Sequence, residues 1–306
     1  MKGHHFHRQP DRKEGRPSSR NLLISTGLNG GITVVQVVGG IVSGSLALIS
    51  DALHNFSDTL AILLAYLAIR MGKKPSNLKK TFGYKRVEIL TALFNGVVLI
   101  GISLYLFFEA WERFHNPRPV RGGLMLWVAV TGLLANLVAV LLLRKDSRSS
   151  LNVKAAYLHL LGDTLSSVGV IGGALLIVFF NITWVDPLLT VLIGIFILRE
   201  TWSVIRDTVN ILMEASPQDL DLGEIRTRLE EHPLVDNVHH VHAWQLSDQQ
   251  VHFECHADLK EDLPLSRADK VRQELEELLT HHYRIHHVTI QVEFGVCGEK
   301  DMIYGN

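Results

Sequence analysis

Long apolar runs alternate with short polar segments over the first two thirds of the chain. Six of these runs are long enough to cross a bilayer core of about 30 Å as an α-helix of about 20 residues. They predict membrane-spanning helices at residues 21–43, 46–70, 87–110, 122–144, 152–179 and 185–206. We therefore expect a membrane protein with six transmembrane helices.

A different pattern begins after Pro217, where the composition becomes that of a soluble protein. The segment VHFECHAD, residues 251–258, alternates apolar and polar positions as a half-buried strand does. A capping serine, Ser266, is expected to open an amphipathic helix. The remaining predictions are helices at 218–232 and 266–283 and strands at 236–246 and 288–294. This order of elements is typical of an α+β, ferredoxin-like domain.

Positive charge predicts the orientation of the membrane helices. Lysine and arginine are frequent in residues 1–20 and in the loops after the second and fourth spans. On the opposite side only Arg113, Arg118 and Arg121 lie between the third and fourth spans. Because cytoplasmic loops carry an excess of Lys and Arg, both termini and the soluble domain are predicted to be cytoplasmic.

The composition shifts divide the chain into three parts. Residues 1–20 are polar, contain His4, His5 and His7, and are expected to form a disordered cytoplasmic tail rather than a cleaved signal peptide. Residues 21–210 form the membrane domain and residues 211–306 the cytoplasmic domain. The two cysteines, Cys255 and Cys297, show no evident pairing, which favours a reducing compartment.

Two histidine–carboxylate pairs interrupt the apolar runs. HNFSD begins at His54 in the second span, and HLLGD begins at His159 in the fifth. Residues i and i+4 share a helix face, so His54 and Asp58 point toward one spot, as do His159 and Asp163. If the two helices pack together, two imidazoles and two carboxylates surround a common point. That ligand set suits tetrahedral Zn²⁺.

A metal ion also explains why the membrane tolerates these side chains. Each ionisable group within a bilayer costs at least about 2.5–3.5 kcal/mol on insertion scales, so four of them need a compensating partner. The alternatives are that each histidine bonds only its own aspartate, or that the two helices never meet. Asp51 shares the helix face of His54 and is a candidate proton relay or partner of a metal ligand. Alternatively, it lies in a water-filled outer mouth without a specific role.

These residues carry a resemblance to a known family. The chain resembles the cation diffusion facilitators, bacterial exporters that exchange cytoplasmic zinc for protons, in the stretches GGIVSGSLALISDALHNFSD, FGYKRVEILTALFNG, LNVKAAYLHLLGDTLSSVGV, VDPLLT and ILMEASP. The resemblance implies that His54, Asp58, His159 and Asp163 are the transport ligands. It also implies a multi-pass homodimer in the bacterial inner membrane. His54 favours zinc, because family members with Asp at this position accept a broader range of metals.

The resemblance further implies a regulatory zinc site in the cytoplasmic domain. The candidate ligands are His239, His240, His256, Asp269 and Glu293. Asp269 stands where a relative carries a further histidine, and Gln291 replaces another, which puts a full two-metal cluster in doubt. Alternatively, these side chains are solvated positions of a sheet. Arg86 and Glu214 are a candidate charge pair that hinges the two domains, or else ordinary loop charges.

The function that fits is secondary transport, in which Zn²⁺ leaves the cytoplasm in exchange for H⁺ by alternating access. Histidine must lose its proton to bind metal, which couples the two ions. The sequence contains no GxxxxGK[ST] and no HExxH, so neither a nucleotide partner nor an intramembrane metalloenzyme is expected. Membrane lipid is an expected partner, and nucleic acid is not. Export of Co²⁺, Cd²⁺ or Fe²⁺ and a non-transporting metal sensor are the alternatives, although the sequence shows no output module.

Overall fold

The computed structural model describes most of the chain. Its described residues are 19–72, 74–144, 151–247, 250–296 and 301–303, without the side chains of 19–23, 25, 26, 62, 65, 69, 151–156 and 159. The histidines of the N-terminal tail, the loop after the fourth helix and Cys297 therefore lie outside the described residues.

Six helices form the membrane domain, each close to its predicted position. They are α1 (Ser19–Ser43), α2 (Leu46–Gly72), α3 (Arg86–His115), α4 (Gly122–Leu143), α5 (Leu151–Phe180) and α6 (Val185–Leu212). Within the described residues, five are long and apolar enough to cross a membrane, whereas the apolar stretch of α1, Gly27–Ser43, is shorter than 18 residues. Helices α3 and α6 continue past the predicted ends, because hydropathy marks the bilayer core and not the end of a helix.

By contacts between Cα atoms, the chain divides into two compact units. One comprises Met1–Leu63 with Val97–Thr201, and the other comprises Leu64–Gly96 with Trp202–Asn306. The loop between α2 and α3, with the adjoining helix ends, therefore groups with the soluble part of the chain.

The first unit packs around an apolar core that α2, α4 and α5 share. Met125 of α4 is fully buried in a cluster with Leu48 of α2 and Val170 of α5. Between α1 and α4, Gly132 leaves room for a polar side chain, because a Cβ atom there would lie 2.8 Å from Nε2 of Gln36. Gln36 in turn donates a hydrogen bond of 2.7 Å to the carboxylate of Asp51 in α2.

The second unit contains a three-stranded sheet with two helices. Besides the ends of α2, α3 and α6, its elements are α7 (Leu222–Glu230), β1 (Val235–Ser247), β2 (Gln250–Leu259), α8 (Leu265–His281) and β3 (His287–Glu293). The strand order is β1-β2-β3, with β1 antiparallel and β3 parallel to β2. Phe253 of β2 and Leu275 of α8 are both buried in the common core. The predicted α+β, ferredoxin-like class is confirmed.

Two predicted helix starts are wrong, for local reasons. Helix α7 begins at Leu222, not at residue 218, because the Asp221 carboxylate accepts hydrogen bonds from the backbone amides of Gly223 and Glu224 and caps the helix. Ser266 does not cap α8, which begins one residue earlier. The capping position belongs to Pro264, whose carbonyl accepts hydrogen bonds from the amides of Arg267 and Ala268.

The polar face of β2 is more buried than its alternating pattern predicts. His252 is only 6% exposed, because the rings of Trp244 and Phe82 pack against it. Asp258 is also buried and accepts a hydrogen bond of 2.9 Å from the amide of Gly295. His252 and Asp258 are therefore parts of a packed interior, whereas Glu254 and His256 are half-buried.

Candidate metal centres

The membrane domain brings three of the four predicted transport ligands together. His54 Nε2 lies 3.7 Å from an oxygen of Asp58, one turn further along α2, and 3.5 Å from an oxygen of Asp163 on α5. These three residues are called the membrane cluster below. The i,i+4 spacing positions the first pair, and the packing of α2 near α5 supplies the third residue.

His159 lies on α5 one turn before Asp163, but its side chain is outside the described residues. The other three side chains differ in accessibility. Those of His54 and Asp163 are 9% and 3% exposed, whereas that of Asp58 is 25% exposed. The Phe196 ring of α6 lies nearly perpendicular to the His54 ring, with the ring centroids 6.4 Å apart. The membrane cluster is thus largely buried, with Asp58 on its more open side.

Asp51, one helical turn before His54 on α2, is held by a polar network. Its carboxylate accepts hydrogen bonds from Gln36 of α1 at 2.7 Å and from Ser166 of α5 at 2.8 Å. Gln36 in turn accepts a bond of 3.1 Å from the side-chain amide of Asn55, next to His54. Asp51 is only 2% exposed, so it does not line a water-filled mouth. The network ties α1, α2 and α5 together around the cluster.

A further buried carboxylate, that of Asp186, is absent from the sequence-based predictions. It stands at the start of α6 but binds the start of α2, accepting bonds from the Ser45 hydroxyl at 2.5 Å and the Leu46 amide at 2.8 Å. Arg113 lies 3.7 Å from Asp186 and donates to the carbonyl of Gly44. Asp186 therefore fixes the end of the helix that carries His54 and Asp58. An aspartate in VDP at the start of a helix predicts a cap of that same helix, so the sequence gives no signal of this contact.

The soluble domain holds a separate cluster, formed by His239 of β1, His256 of β2 and Glu293 of β3. One ligand atom from each lies within 4.8 Å of the other two. The two oxygens of Glu293 lie 3.0 Å from His239 and 3.4 Å from His256. These three residues are called the soluble cluster below.

Strand register explains how the soluble cluster forms. His239 pairs with His256 across β1 and β2, and Glu293 extends the same surface from β3. His239 and Glu293 are 1% and 8% exposed, so the alternative of solvated sheet positions does not hold for them. Burial lowers the pKa of His256, an effect that the nearby Glu293 opposes and the neighbouring imidazoles of His240 and His239 reinforce. A neutral imidazole is the form that binds metal.

Two further predicted residues differ in their relation to the soluble cluster. His240 stacks on His256 with ring centroids 4.7 Å apart, and it adopts a positive φ of 52° at a bulge in β1. Asp269 is not part of the soluble cluster. Its carboxylate instead binds Arg272 at 2.9 Å and Gln273 at 2.8 Å on its own helix. His240 thus adjoins the cluster, whereas Asp269 is engaged elsewhere.

Arg86 and Glu214 form an ion pair with a distance of 2.7 Å between nitrogen and oxygen. Their side chains are 36% and 59% exposed, and exposed pairs contribute only about 0–1 kcal/mol. The contact joins the start of α3 to the segment after α6.

Cys255 is a free, buried thiol whose pKa burial raises to about 12, so it is unreactive at neutral pH.

The chain matches two protein-family models. Residues 22–213 match the cation efflux transmembrane domain, and residues 217–294 match the cytoplasmic domain of cation efflux proteins. Together these matches cover most of the chain.

Curated relatives agree with the family models. The zinc transporter ZitB of Escherichia coli (strain K12) is 42% identical over 286 residues, which is 93% of this chain and 90% of the relative. The metal cation efflux system protein CzcD of Cupriavidus metallidurans is 39% identical over 97% of this chain and 92% of its own length. The cadmium, cobalt and zinc/H(+)-K(+) antiporter of Bacillus subtilis (strain 168) is 39% identical over 89% and 88%.

These matches confirm the resemblance and the expectation of a membrane transporter rather than an enzyme. The chain belongs to the cation efflux family, the cation diffusion facilitators, whose members transport metal cations across membranes.

Proposed function

We propose that this protein exports Zn²⁺ from the cytoplasm in exchange for H⁺, and that the membrane cluster together with His159 carries the ion. The observation that supports the proposal most directly is the meeting of His54, Asp58 and Asp163 within two membrane helices. Imidazole nitrogen and carboxylate oxygen are donors suited to zinc. Two carboxylates balance the charge of the ion, and the bound ion offsets the free-energy cost of burying them.

Proton coupling follows from the chemistry of the ligands. A histidine binds metal only when it is neutral, so zinc loading releases protons and protonation favours zinc release. Asp51 lies one helical turn before His54, and we assign it a proton-relay role, with its carboxylate held by Gln36 and Ser166. Alternating access moves the loaded site from one side of the membrane to the other.

The cytoplasmic domain, residues 211–306, is proposed to sense zinc and to form a homodimer. Its soluble cluster provides one carboxylate and two imidazoles for a regulatory zinc ion. The Arg86–Glu214 pair is the proposed hinge between the membrane helices and this domain. The proposed location is the bacterial inner membrane with both termini in the cytoplasm, as the distribution of Lys and Arg predicts.

Zinc is the preferred substrate of this proposal, and Cd²⁺ and Co²⁺ form the second candidate set. The name of the Bacillus subtilis relative includes cadmium, cobalt and zinc, and that of the Escherichia coli relative includes zinc alone. Ligand type does not by itself separate these metals.

The test is zinc uptake into proteoliposomes with an imposed pH gradient and without potassium. The wild type is compared with Asp163→Ala and with Asp207→Ala, an exposed aspartate of α6 outside the cluster. The proposal predicts uptake that requires the gradient, disappears in the Asp163 variant and persists in the Asp207 variant. Equal uptake by all three proteins would contradict the assignment of the site. Uptake independent of the gradient would contradict proton exchange.

A further inference from the structure

The loop between α2 and α3 presents a leucine entirely to solvent. Leu78 is 101% exposed, although single exposed apolar residues are common and by themselves indicate nothing. What distinguishes Leu78 is the rigid turn that holds it, the charge around it and its place in the chain. The turn comprises residues Asn77–Lys80.

Hydrogen bonds fix this turn. The backbone of Asn77 both donates to and accepts from Lys80, at 3.1 and 3.0 Å. The side-chain oxygen of Asn77 accepts bonds from the amides of Lys79 and Lys80, and its amide nitrogen donates to the hydroxyl of Tyr84 at 3.3 Å. Lys80 also lies over the Tyr84 ring, 4.5 Å from its centroid. Leu78 is therefore held in its exposed position by a hydrogen-bonded turn.

The segment around the turn is strongly basic. Residues 73–85 contain five lysines and no aspartate or glutamate. Lys74, Lys79 and Lys80 are all exposed. A second copy of so basic a loop would repel the first, which disfavours a self-interface at this point. An apolar tip flanked by cations instead fits a surface that offers both hydrocarbon and negative charge.

The loop lies close to the membrane surface because it connects two membrane helices, α2 and α3. Leu78 follows the last residue of α2 by six positions and precedes the first residue of α3 by eight. Six residues reach at most about 20 Å, so the turn is tethered near the membrane at both ends. Basic segments immediately cytoplasmic to a membrane helix attract anionic lipids.

We propose that the turn Asn77–Lys80 binds anionic lipid, with Leu78 entering the interfacial region and the neighbouring lysines contacting lipid phosphates. The choice of the cytoplasmic leaflet rests on the orientation proposed above, but the contact itself does not. The turn is joined directly to α2, the helix that carries His54 and Asp58. Bound anionic lipid would therefore restrain the end of the helix that has to move during transport.

The experiment uses the full-length protein with an environment-sensitive NBD fluorophore on Leu78→Cys. Cys297→Ser removes one competing thiol, and Cys255 needs no change because it is 2% exposed and its thiol is unreactive. The labelled protein is placed in phosphatidylcholine nanodiscs, with and without phosphatidylglycerol, and in detergent. Leu265→Cys is the matched control, because Leu265 is 86% exposed but starts α8 of the soluble domain.

In phosphatidylglycerol, the probe at position 78 is expected to shift to shorter wavelength, to resist quenching by acrylamide and to be quenched by brominated lipid. The control probe is expected to show none of these changes. Lys79→Gln should reduce the partition of the tip by about fivefold, which is the contribution expected of one lysine at such a surface, and Lys79→Arg should restore it. Because no zinc flux is measured, the result is independent of the transport proposal.

Two results would overturn the proposal. A probe that stays open to acrylamide in every lipid would show that the turn does not touch the membrane. Shielding that appears in detergent and grows with protein concentration would show that a second copy of the chain covers Leu78.

Discussion

The two clusters use similar side chains but are built in different ways. The membrane cluster takes two residues from one helical turn and a third from a neighbouring helix. The soluble cluster takes one residue from each of three strands. Among the described side chains, only the soluble cluster brings three ligand atoms within 4.8 Å of one another. We expect this tighter arrangement of an ion that stays bound, whereas the ion that we propose for the membrane cluster has to be released.

The largest expected effect tests whether His159 is a fourth ligand beside the three residues of the membrane cluster. His159→Ala should lower gradient-driven zinc uptake at least about 100-fold, because even a partner of a metal ligand contributes 10–100-fold in affinity or activity. The measurement is the initial rate of uptake into proteoliposomes. His115→Ala, an exposed histidine of α3, is the control and should transport normally. Normal uptake by the His159 variant would leave the cluster with three ligands.

The next effect separates binding in the soluble cluster from transport. Glu293→Gln should weaken zinc binding in the cytoplasmic domain by about 10–100-fold, since its two oxygens contact both histidines. Isothermal titration of the full chain in an Asp163→Asn background isolates this site. His281→Ala, an exposed position at the end of α8, should bind zinc as the background protein does. Unchanged affinity in the Glu293 variant would show that the soluble cluster is only a structural ion pair.

A third, smaller effect concerns metal selectivity. His54→Asp replaces a nitrogen donor with a harder oxygen donor, so the ratio of Mn²⁺ to Zn²⁺ transport should rise by about tenfold. His239→Asp makes the same chemical change in the soluble cluster and should leave the transport ratio unaltered. Competition between the two metals during uptake measures the ratio. A change in the transport ratio in the His239 variant would contradict the proposal, because it would mean that the soluble domain determines metal selectivity.

The smallest effect tests the surface ion pair. Arg86→Glu should change the zinc concentration for half-maximal uptake by less than about fivefold, because an exposed pair contributes only about 0–1 kcal/mol. Exchanging the charges in Arg86→Glu with Glu214→Arg should restore the wild-type value. A double variant worse than either single variant would mean that the two residues act separately.

The sequence predicted helical features better than features that depend on strand register. Spacing alone placed His54 beside Asp58, because the helix repeat fixes which residues share a face. The contact between Glu293 and His239 depends on the pairing of three strands, and here the candidates came from the family resemblance. That resemblance also suggested Asp269, which instead binds Arg272 and Gln273.

Two local contacts show why some details cannot be derived from the sequence. Asp186 precedes a proline at the start of α6, which indicates a cap of its own helix, yet its carboxylate binds the start of α2. Pro264 takes the capping position that Ser266 was predicted to fill. The Asp186 contact joins residues more than a hundred positions apart, which a local pattern does not predict. At α8, the local backbone conformation places the first turn at Pro264 and not at Ser266.

We propose that the membrane cluster carries the transported ion and that the soluble cluster does not. Gradient-driven zinc uptake at saturating zinc, measured for Asp163→Asn and Glu293→Gln in matched proteoliposomes, tests it most directly. We predict background uptake for the Asp163 variant and uptake close to wild type for the Glu293 variant. Equal loss of uptake in both variants, with both proteins folded, would contradict the claim.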